Sequence, residues 1–347
     1  MLAEGADYVI GVDTHAQRHA LAVVDGRTGA LVREWQLPAC PDGYQDALNL
    51  AAELAPGRRL WALEGTGCYG AGLTRVLLAA GEHVREVERP LRRGGHARGK
   101  TDVLDALRAA RAALERPLAH PREGGTRDAL RVLLATREQA VQVRRVGLNQ
   151  LRALVITAPD HLRERLIGLP RTRLATRCAE LRLQSRATEQ ERANTLALRL
   201  CARRVRAAGR EAQTLEREIR RLISELAPAL LQEPGIGAIS AGYLLLGWSH
   251  HGRLRSEAAF ARLAGSAPIP ASSGKTIRHR LDRGGDRQLN RALHTIVLTR
   301  RRSHPATIAY IERRTREGKT TREAVRCLKR YLARHLYRLL EATPAPA

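Results

Sequence analysis

A chain of 347 residues with 44% hydrophobic content can bury sizeable cores and is long enough for two or three modules. Its 60 Lys+Arg against 35 Asp+Glu leave a formal net charge of +25, a field that draws in polyanions and points to a nucleic-acid partner. No apolar run reaches eighteen residues, no signal peptide is evident, and five scattered cysteines form no CxxC pair; these exclude a membrane span, a zinc ribbon and a disulfide framework, and lead us to expect a reducing, cytoplasmic setting.

The chain opens on a short apolar run, Tyr8-Val9-Ile10-Gly11-Val12-Asp13, that ends in an acid. Ala20–Val24 and Leu31–Trp35 follow, joined through the turn Asp25–Gly29, and the three read as a strand meander. Leu60–Glu64 is a further strand that also closes on an acid. Ala71–Ala80 reads as a helix stopped by Gly81, and His83–Val87 as a strand. This order predicts a mixed α/β sheet with helices packed on it, over residues 1–118. Two prolines and two glycines between Arg116-Pro117 and Gly124-Gly125 mark its end.

Residues 119–227 change character. Leu134, Val141, Leu148 and Val155 recur every seven residues, and Leu215, Ile219, Leu222 and Leu226 repeat at the spacing of a second helical seam. The pattern predicts an antiparallel helical hairpin or coiled coil with Pro159 and Pro170 near its turn and arginines on its outer faces. Residues 228–347 mix glycine-rich turns with helices into a mainly helical C-terminal domain. Pro305–Leu340 reads as helical and basic, and Thr343–Ala347 as a disordered tail.

Four acids stand where chemistry is commonly built. Asp13 and Glu64 each end a strand, and Asp102 and Asp105 lie three apart at the start of a helix, so both carboxylates share one face. Converging, they make an oxygen-rich site for Mg²⁺ or Mn²⁺ that can orient a phosphodiester. Singly, each has an ordinary reading: Asp13 as an acceptor in a turn, Asp102 as an anion at a helix start. Together, in this order on these elements, they favour the metal site.

Ala271-Ser272-Ser273-Gly274-Lys275-Thr276 forms a second constellation. Gly274 suits a tight turn that exposes a neighbouring hydroxyl, and Lys275, Arg278, Arg280 and Arg283 surround it with cations able to hold a phosphate. The spacing is not that of a P-loop, and a plain polar loop remains open. A third feature, Pro234-Gly235-Ile236-Gly237 between two helices, is either a helix-hairpin-helix presenting backbone N–H groups to DNA phosphates or a packing joint. The histidines, including His15 and His250-His251, read as surface or packing residues. With 3% aromatics, contacts from arginine to phosphate must outweigh base stacking.

These residues together resemble the transposases of the insertion sequence 110 family and its 1111 branch. The resemblance rests on Gly11-Val12-Asp13-Thr14-His15, on Ala62-Leu63-Glu64-Gly65-Thr66-Gly67, and on Lys100-Thr101-Asp102-Val103-Leu104-Asp105-Ala106. In the C-terminal part it rests on Pro234–Gly237, Phe260–Gly265, Ser272–Lys275 and Arg283–Leu293. It implies an RNase-H-like (RuvC-like) N-terminal domain whose DEDD tetrad is Asp13, Glu64, Asp102 and Asp105. It also implies a serine nucleophile at Ser273, with adjacent Ser272 the alternative, and a covalent protein–DNA intermediate. Its further implications are donor and target DNA as substrates, a noncoding guide RNA as partner, and a homo-oligomer, dimer or tetramer. Two rival readings, a RuvC-like Holliday-junction nuclease and a catalytically inactive nucleic-acid-binding relative, leave the serine loop or the tetrad unexplained.

Overall fold

A computed structural model describes residues 5–87, 102–122, 124–183, 185, 187–271, 279–280, 282 and 284–342. The expected meander is present: β1 (Tyr8–Thr14), β2 (Arg18–Asp25) and β3 (Leu31–Pro38) pair antiparallel in sequence. The helix α1 (Pro41–Leu54) then returns the chain so that β4 (Arg59–Glu64) lies parallel to β1. A second helix, α2 (Ala71–Ala79), leads to β5 (His83–Val87), parallel to β4. The resulting strand order, β3-β2-β1-β4-β5, is a mixed sheet consistent with an RNase-H-like domain.

The helix α1 has no counterpart among the elements expected from sequence. Its buried positions are Gly43, Ala47 and Ala51, small residues that carry little hydropathy signal although they repeat at helical spacing. Pro41 at its start is the one available cue.

Side chains alternate across the sheet, which gives each face its own partners. Ile10, Val12, Leu21, Trp61 and Leu63 point to one face, where α1 and α2 cover them through Ala47, Ala51, Leu73 and Leu77. Val9, Val24, Leu60 and Ala62 point to the other, against Ala109, Ala110 and Ala113 of α3 (Asp102–Glu115). Ala20 and Ala22 meet Ala106 of the same helix. Small residues on both sides let backbones approach closely. At Gly11 an added Cβ would sit 2.0 Å from the Ala106 carbonyl oxygen, so the helix lies directly on the strand.

Beyond the sheet, α4 (Thr126–Ile156) and α7 (Glu189–Leu226) form the long arms of the hairpin, with short α5 (Asp160–Leu166) and α6 (Arg171–Ala179) between them. Pro159 and Pro170 immediately precede the two short helices, as the sequence predicts. The arms run antiparallel: Arg137 pairs with Glu216 at 2.8 Å, and the Cys201 thiol lies 3.3 Å from the Gly147 carbonyl oxygen. A capping box of Thr188 and Glu191 starts α7. The seam departs from the heptad reading in its middle. Leu134, Leu148 and Val155 are buried, but Val141 is 39% exposed and Ala140 takes the inward place.

The remaining elements are α8 (Pro228–Gln232), α9 (Ala238–Trp248), α10 (Glu257–Leu263), the ribbon β6 (Ile269–Pro270) and β7 (His279–Arg280), α11 (Arg287–Ser303), α12 (Pro305–Arg316) and α13 (Thr321–Ala342). Their core gathers Leu244, Phe260, Leu293, Ile296 and Leu336 with Leu130 and Leu134 of α4 and Ile219 and Ile223 of α7. The base of the hairpin is therefore part of the C-terminal core. Gly235, in the turn between α8 and α9, has φ +76° and lies against the Ile296 carbonyl of α11, a packing contact; Gly237 is exposed as the N-cap of α9. The predicted tail Thr343–Ala347 lies outside the described residues. No described helix is long and apolar enough to cross a membrane.

Candidate active site

The alternation that buries Val9, Gly11 and Ala62 on the α3 side fixes where the acids point. Asp13 follows Gly11 by two residues and Glu64 follows Ala62 by two, so both project from that same face. The register Val12↔Leu63 sets them side by side at the C-terminal ends of parallel strands. Thr14 ties the two ends together, its hydroxyl donating to the Glu64 carbonyl at 3.0 Å. The chain then turns sharply at Gly65, φ +64°, where a Cβ would lie 2.7 Å from Cys68 Sγ.

The close contact at Gly11 carries the first turn of α3, with Asp102 and Asp105, over the strand ends. His15 bridges the two elements: its Nε2 is 3.1 Å from Asp13 Oδ2 and 3.4 Å from Asp102 Oδ1. One donor atom from each of Asp13, His15 and Asp102 falls within 4.8 Å of the others, a spacing able to hold a metal ion. Asp105 turns its Oδ1 to Arg108 at 2.6 Å, yet stays near enough to act on Asp13. Burial pushes the Asp13 carboxyl above the usual carboxylate range; His15 opposes this, while the charges of Asp105 and Asp102 add to it. Crowded carboxylates of this kind are what a divalent cation relieves. The donor set, rich in oxygen with one imidazole, fits Mg²⁺ or Mn²⁺.

Two residues here escape a reading by motif. His15, which reads from sequence as a surface residue, lies between the acids. Behind it, His19 is fully buried, stacks on Tyr44 with ring centroids 5.8 Å apart, and accepts the His15 backbone N–H at Nδ1 (3.3 Å). Burial, with His15 nearby, holds the His19 pKa below its ordinary value, so its imidazole stays neutral and Nδ1 remains an acceptor. The spacing His15–His19 is visible in the sequence, but only the tight β1–β2 connection gives it meaning.

Of the second constellation, Ser272, Ser273, Gly274, Lys275, Arg278 and Arg283 lie outside the described residues. Arg280 is exposed on β7, whose register pairs it with Ile269. The ground beneath the ribbon is well tied. The Asp286 backbone N–H donates to the Leu263 carbonyl (2.6 Å), and the Asp286 side chain caps α11 through the amides of Gln288 and Leu289. Asn290 Nδ2 donates to the Ala264 carbonyl (2.5 Å), and its Oδ1 accepts from Lys329 Nζ (2.6 Å). Lys329 is 8% exposed, and burial lowers its pKa. Gly285, φ +86°, allows this closure, since a Cβ there would lie 2.4 Å from the Leu263 carbonyl oxygen.

Both halves of the chain are similar to known proteins. Residues 10–158 match the family model of the DEDD transposases of IS110 type, and residues 227–312 match the transposase IS116/IS110/IS902 family. A 43.6 kDa uncharacterized protein of insertion element IS110 from Streptomyces coelicolor is 33% identical over 131 residues, 37% of this chain and 32% of that protein. The chain thus spans about a third of that relative. A 42 kDa uncharacterized protein of insertion element IS900 from Mycobacterium paratuberculosis is 27% identical over 333 residues, 82% of this chain and 83% of its own length. With one model covering the sheet and its acids and the other the C-terminal helices, the chain belongs to the IS110 family of transposases.

Proposed function

We propose that this chain is the enzyme that cuts and rejoins DNA for an insertion sequence, using a divalent-metal acid site and a serine nucleophile. One observation supports the reading: Asp13 and Asp102 offer, with His15, ligand atoms within 4.8 Å of one another, beside the strand end that carries Glu64 at the C-terminal edge of parallel strands, where α/β sheets place their ligands. Asp13, Glu64, Asp102 and Asp105 are the residues to hold Mg²⁺ or Mn²⁺, with His15 beside them. When bound, the metal supplies Lewis acidity toward a phosphodiester oxygen.

The chain's own groups do the rest. Ser273 Oγ, with Ser272 as alternative, forms a bond to phosphorus as the bond to a deoxyribose oxygen breaks. The serine loses its proton, the leaving oxygen gains one, and rejoining reverses the exchange. Lys275, Arg278 and Arg280 steady the phosphate charge, and the amides at Gly235 and Gly237 offer a sequence-neutral hold on a DNA backbone. Residues 1–118 form the acid-bearing domain, 119–227 the hairpin for assembly into a dimer or tetramer, and 228–347 the serine-bearing domain. Donor and target DNA are the substrates, a noncoding guide RNA directs them, and the work is done in the cytoplasm at the nucleoid.

Asp102→Ala tests the acid site. It should abolish recombination of a plasmid-borne element while leaving DNA binding within about twofold, since a metal ligand does not grip the backbone; full recombination would remove the assignment. Ser273→Ala should eliminate a denaturant-resistant protein–DNA adduct, and an adduct that persists would move the nucleophile elsewhere.

A further inference from the structure

Of the seven tyrosines, three tryptophans and one phenylalanine, only Tyr69 and Tyr331 are exposed; the other rings are buried or half-buried. Tyr69 belongs to the turn after Glu64. Tyr331 stands 55% exposed in the middle of α13, a helix that carries none of the residues proposed for catalysis. Its ring is held from α12: Tyr310 meets it in a T-shaped contact, ring centroids 5.9 Å apart and 76° between planes. The Arg313 guanidinium in turn lies over the Tyr310 ring, 5.3 Å from its centroid. A T-shaped contact restrains a ring without covering it, so Tyr331 is both held and open.

The surroundings are cationic. Residues 305–342 carry ten lysines and arginines against four glutamates, and each glutamate is engaged or turned away. Glu317 sits between Arg313 (3.8 Å) and Arg314 (2.5 Å). Glu323 accepts from the amide and hydroxyl of Thr320 at the start of α13, and Glu341 accepts from Trp248 Nε1 (2.6 Å). Glu312 lies about 200° round α12 from Tyr310, on the far side of that helix. Among the described residues, two acids of other elements pair with α13, and each is shared by two cations: Glu257 by Arg334 and Arg338, Glu233 by His335 and Arg300. One turn either side of Tyr331 stand Cys327, Leu328, Arg334 and His335, so no carboxylate of its own helix adjoins the ring. Arg330, next to it, buries Nη1 without a hydrogen-bond partner among the described residues.

An exposed ring among cations suits a partner that is both aromatic and negatively charged. A nucleotide is both: its base can stack on the tyrosine while its phosphates meet the arginines. A base inside a duplex is already stacked on both faces, so only an unpaired one can use this ring. A second copy of the chain meeting this face through its own would oppose like charges. Cutting and rejoining DNA frees strand ends from one duplex before they join another, so the enzyme's own substrate supplies unpaired bases. We propose that the Tyr331 face of α12 and α13 binds single-stranded DNA, with one unpaired base stacked on Tyr331 and flanking phosphates held by the neighbouring arginines. The inference rests on DNA as the substrate and is independent of the metal ligands and the serine.

Binding is read by fluorescence anisotropy in EDTA, so that no strand is cut. The probes are a labelled 20-nucleotide DNA strand, the same sequence as RNA, and the corresponding DNA duplex. They are titrated against wild type, Tyr331→Ala and Tyr331→Phe over a series of salt concentrations. Tyr331→Ala should weaken single-strand DNA binding about tenfold without altering the slope of log K against log salt, since the ring carries no charge. Tyr331→Phe should keep wild-type affinity, and duplex binding should move by less than about twofold in either variant. Unchanged single-strand affinity in folded Tyr331→Ala overturns the proposal, as does an equal loss on duplex, which marks a general effect on phosphate contacts or structure. A larger loss on RNA than on DNA overturns DNA as the occupant, and a changed oligomeric state by light scattering assigns the face to a second copy. Wild type that binds no probe would sink the DNA reading itself, whereas wild-type binding that Tyr331→Ala leaves intact sinks only the Tyr331 site.

Discussion

On β1, Gly11 and Asp13 have complementary roles, for the glycine lets a helix backbone rest on the strand, and the acid two residues on meets what that helix brings. Gly11→Ala places a methyl 2.0 Å from the Ala106 carbonyl, so α3 must lift. The expected cost is about 1–3 kcal/mol of stability, read from urea unfolding, together with weaker Mn²⁺ binding because Asp102 moves from Asp13. His15 makes a separable prediction. An imidazole favours Mn²⁺ over Mg²⁺, so His15→Ala should reduce Mn²⁺ affinity more than Mg²⁺ affinity in metal titrations; equal losses would place the imidazole outside the metal's ligands. His250 predicts a pH effect. Burial above all holds its folded pKa at about 4, below the unfolded value near 6.5, so between those values the unfolded chain binds more protons. Stability should therefore fall as pH drops from 6.5 toward 4, and His250→Gln should flatten that part of the melting-temperature profile. At this scale the acids are legible because strand ends and i,i+3 spacing are patterns. The roles of His15 and of the Tyr310–Tyr331 pair are not, because their partners lie in separate elements or depend on the fold of a tight turn.

Elements read well where large apolar residues repeat and poorly where small ones do the packing. The strands emerge at nearly their observed bounds and prolines mark the hairpin turn, whereas the expected seam covers Leu134–Val155 of α4 but only Leu215–Leu226 of the longer α7 (Glu189–Leu226). The alanine stripe of α3, the Gly43–Ala47–Ala51 face of α1, and the Ala140–Gly147 stretch of α4 all pack by close approach, which a hydropathy pattern weighs lightly. Gly147 shows the consequence. A Cβ there would lie 2.6 Å from Val205 Cγ2, so Gly147→Leu should wedge α4 from α7 and cost about 1–3 kcal/mol despite leucine's better helix propensity. Val205→Ala in the same chain should recover part of the loss in a thermal melt. An undiminished melting temperature in Gly147→Leu would mean the arms are looser than this seam.

Across the whole molecule, a net charge of +25 surrounds a site built from acids. The two are compatible because the acids gather on one sheet face, whereas arginines crowd the exposed sides of the hairpin and the C-terminal helices. Affinity for DNA should fall steeply with salt; about six phosphate contacts would cost on the order of a thousandfold between 50 and 200 mM, and a flat response in fluorescence anisotropy would contradict arginine-led binding. Size and shape add one mechanical consequence. The 31 residues of α4 make a rod of about 46 Å, rooted beside Arg127 and the Glu64 turn, clamped by the C-terminal core at Leu130 and Leu134, and free of that core toward its far end. It is a lever with its fulcrum at the junction beside the Glu64 turn: a tilt of about 5° at the root displaces the tip by about 4 Å over that length. Whatever grips the tip of the hairpin thereby holds a long handle on the Glu64 turn.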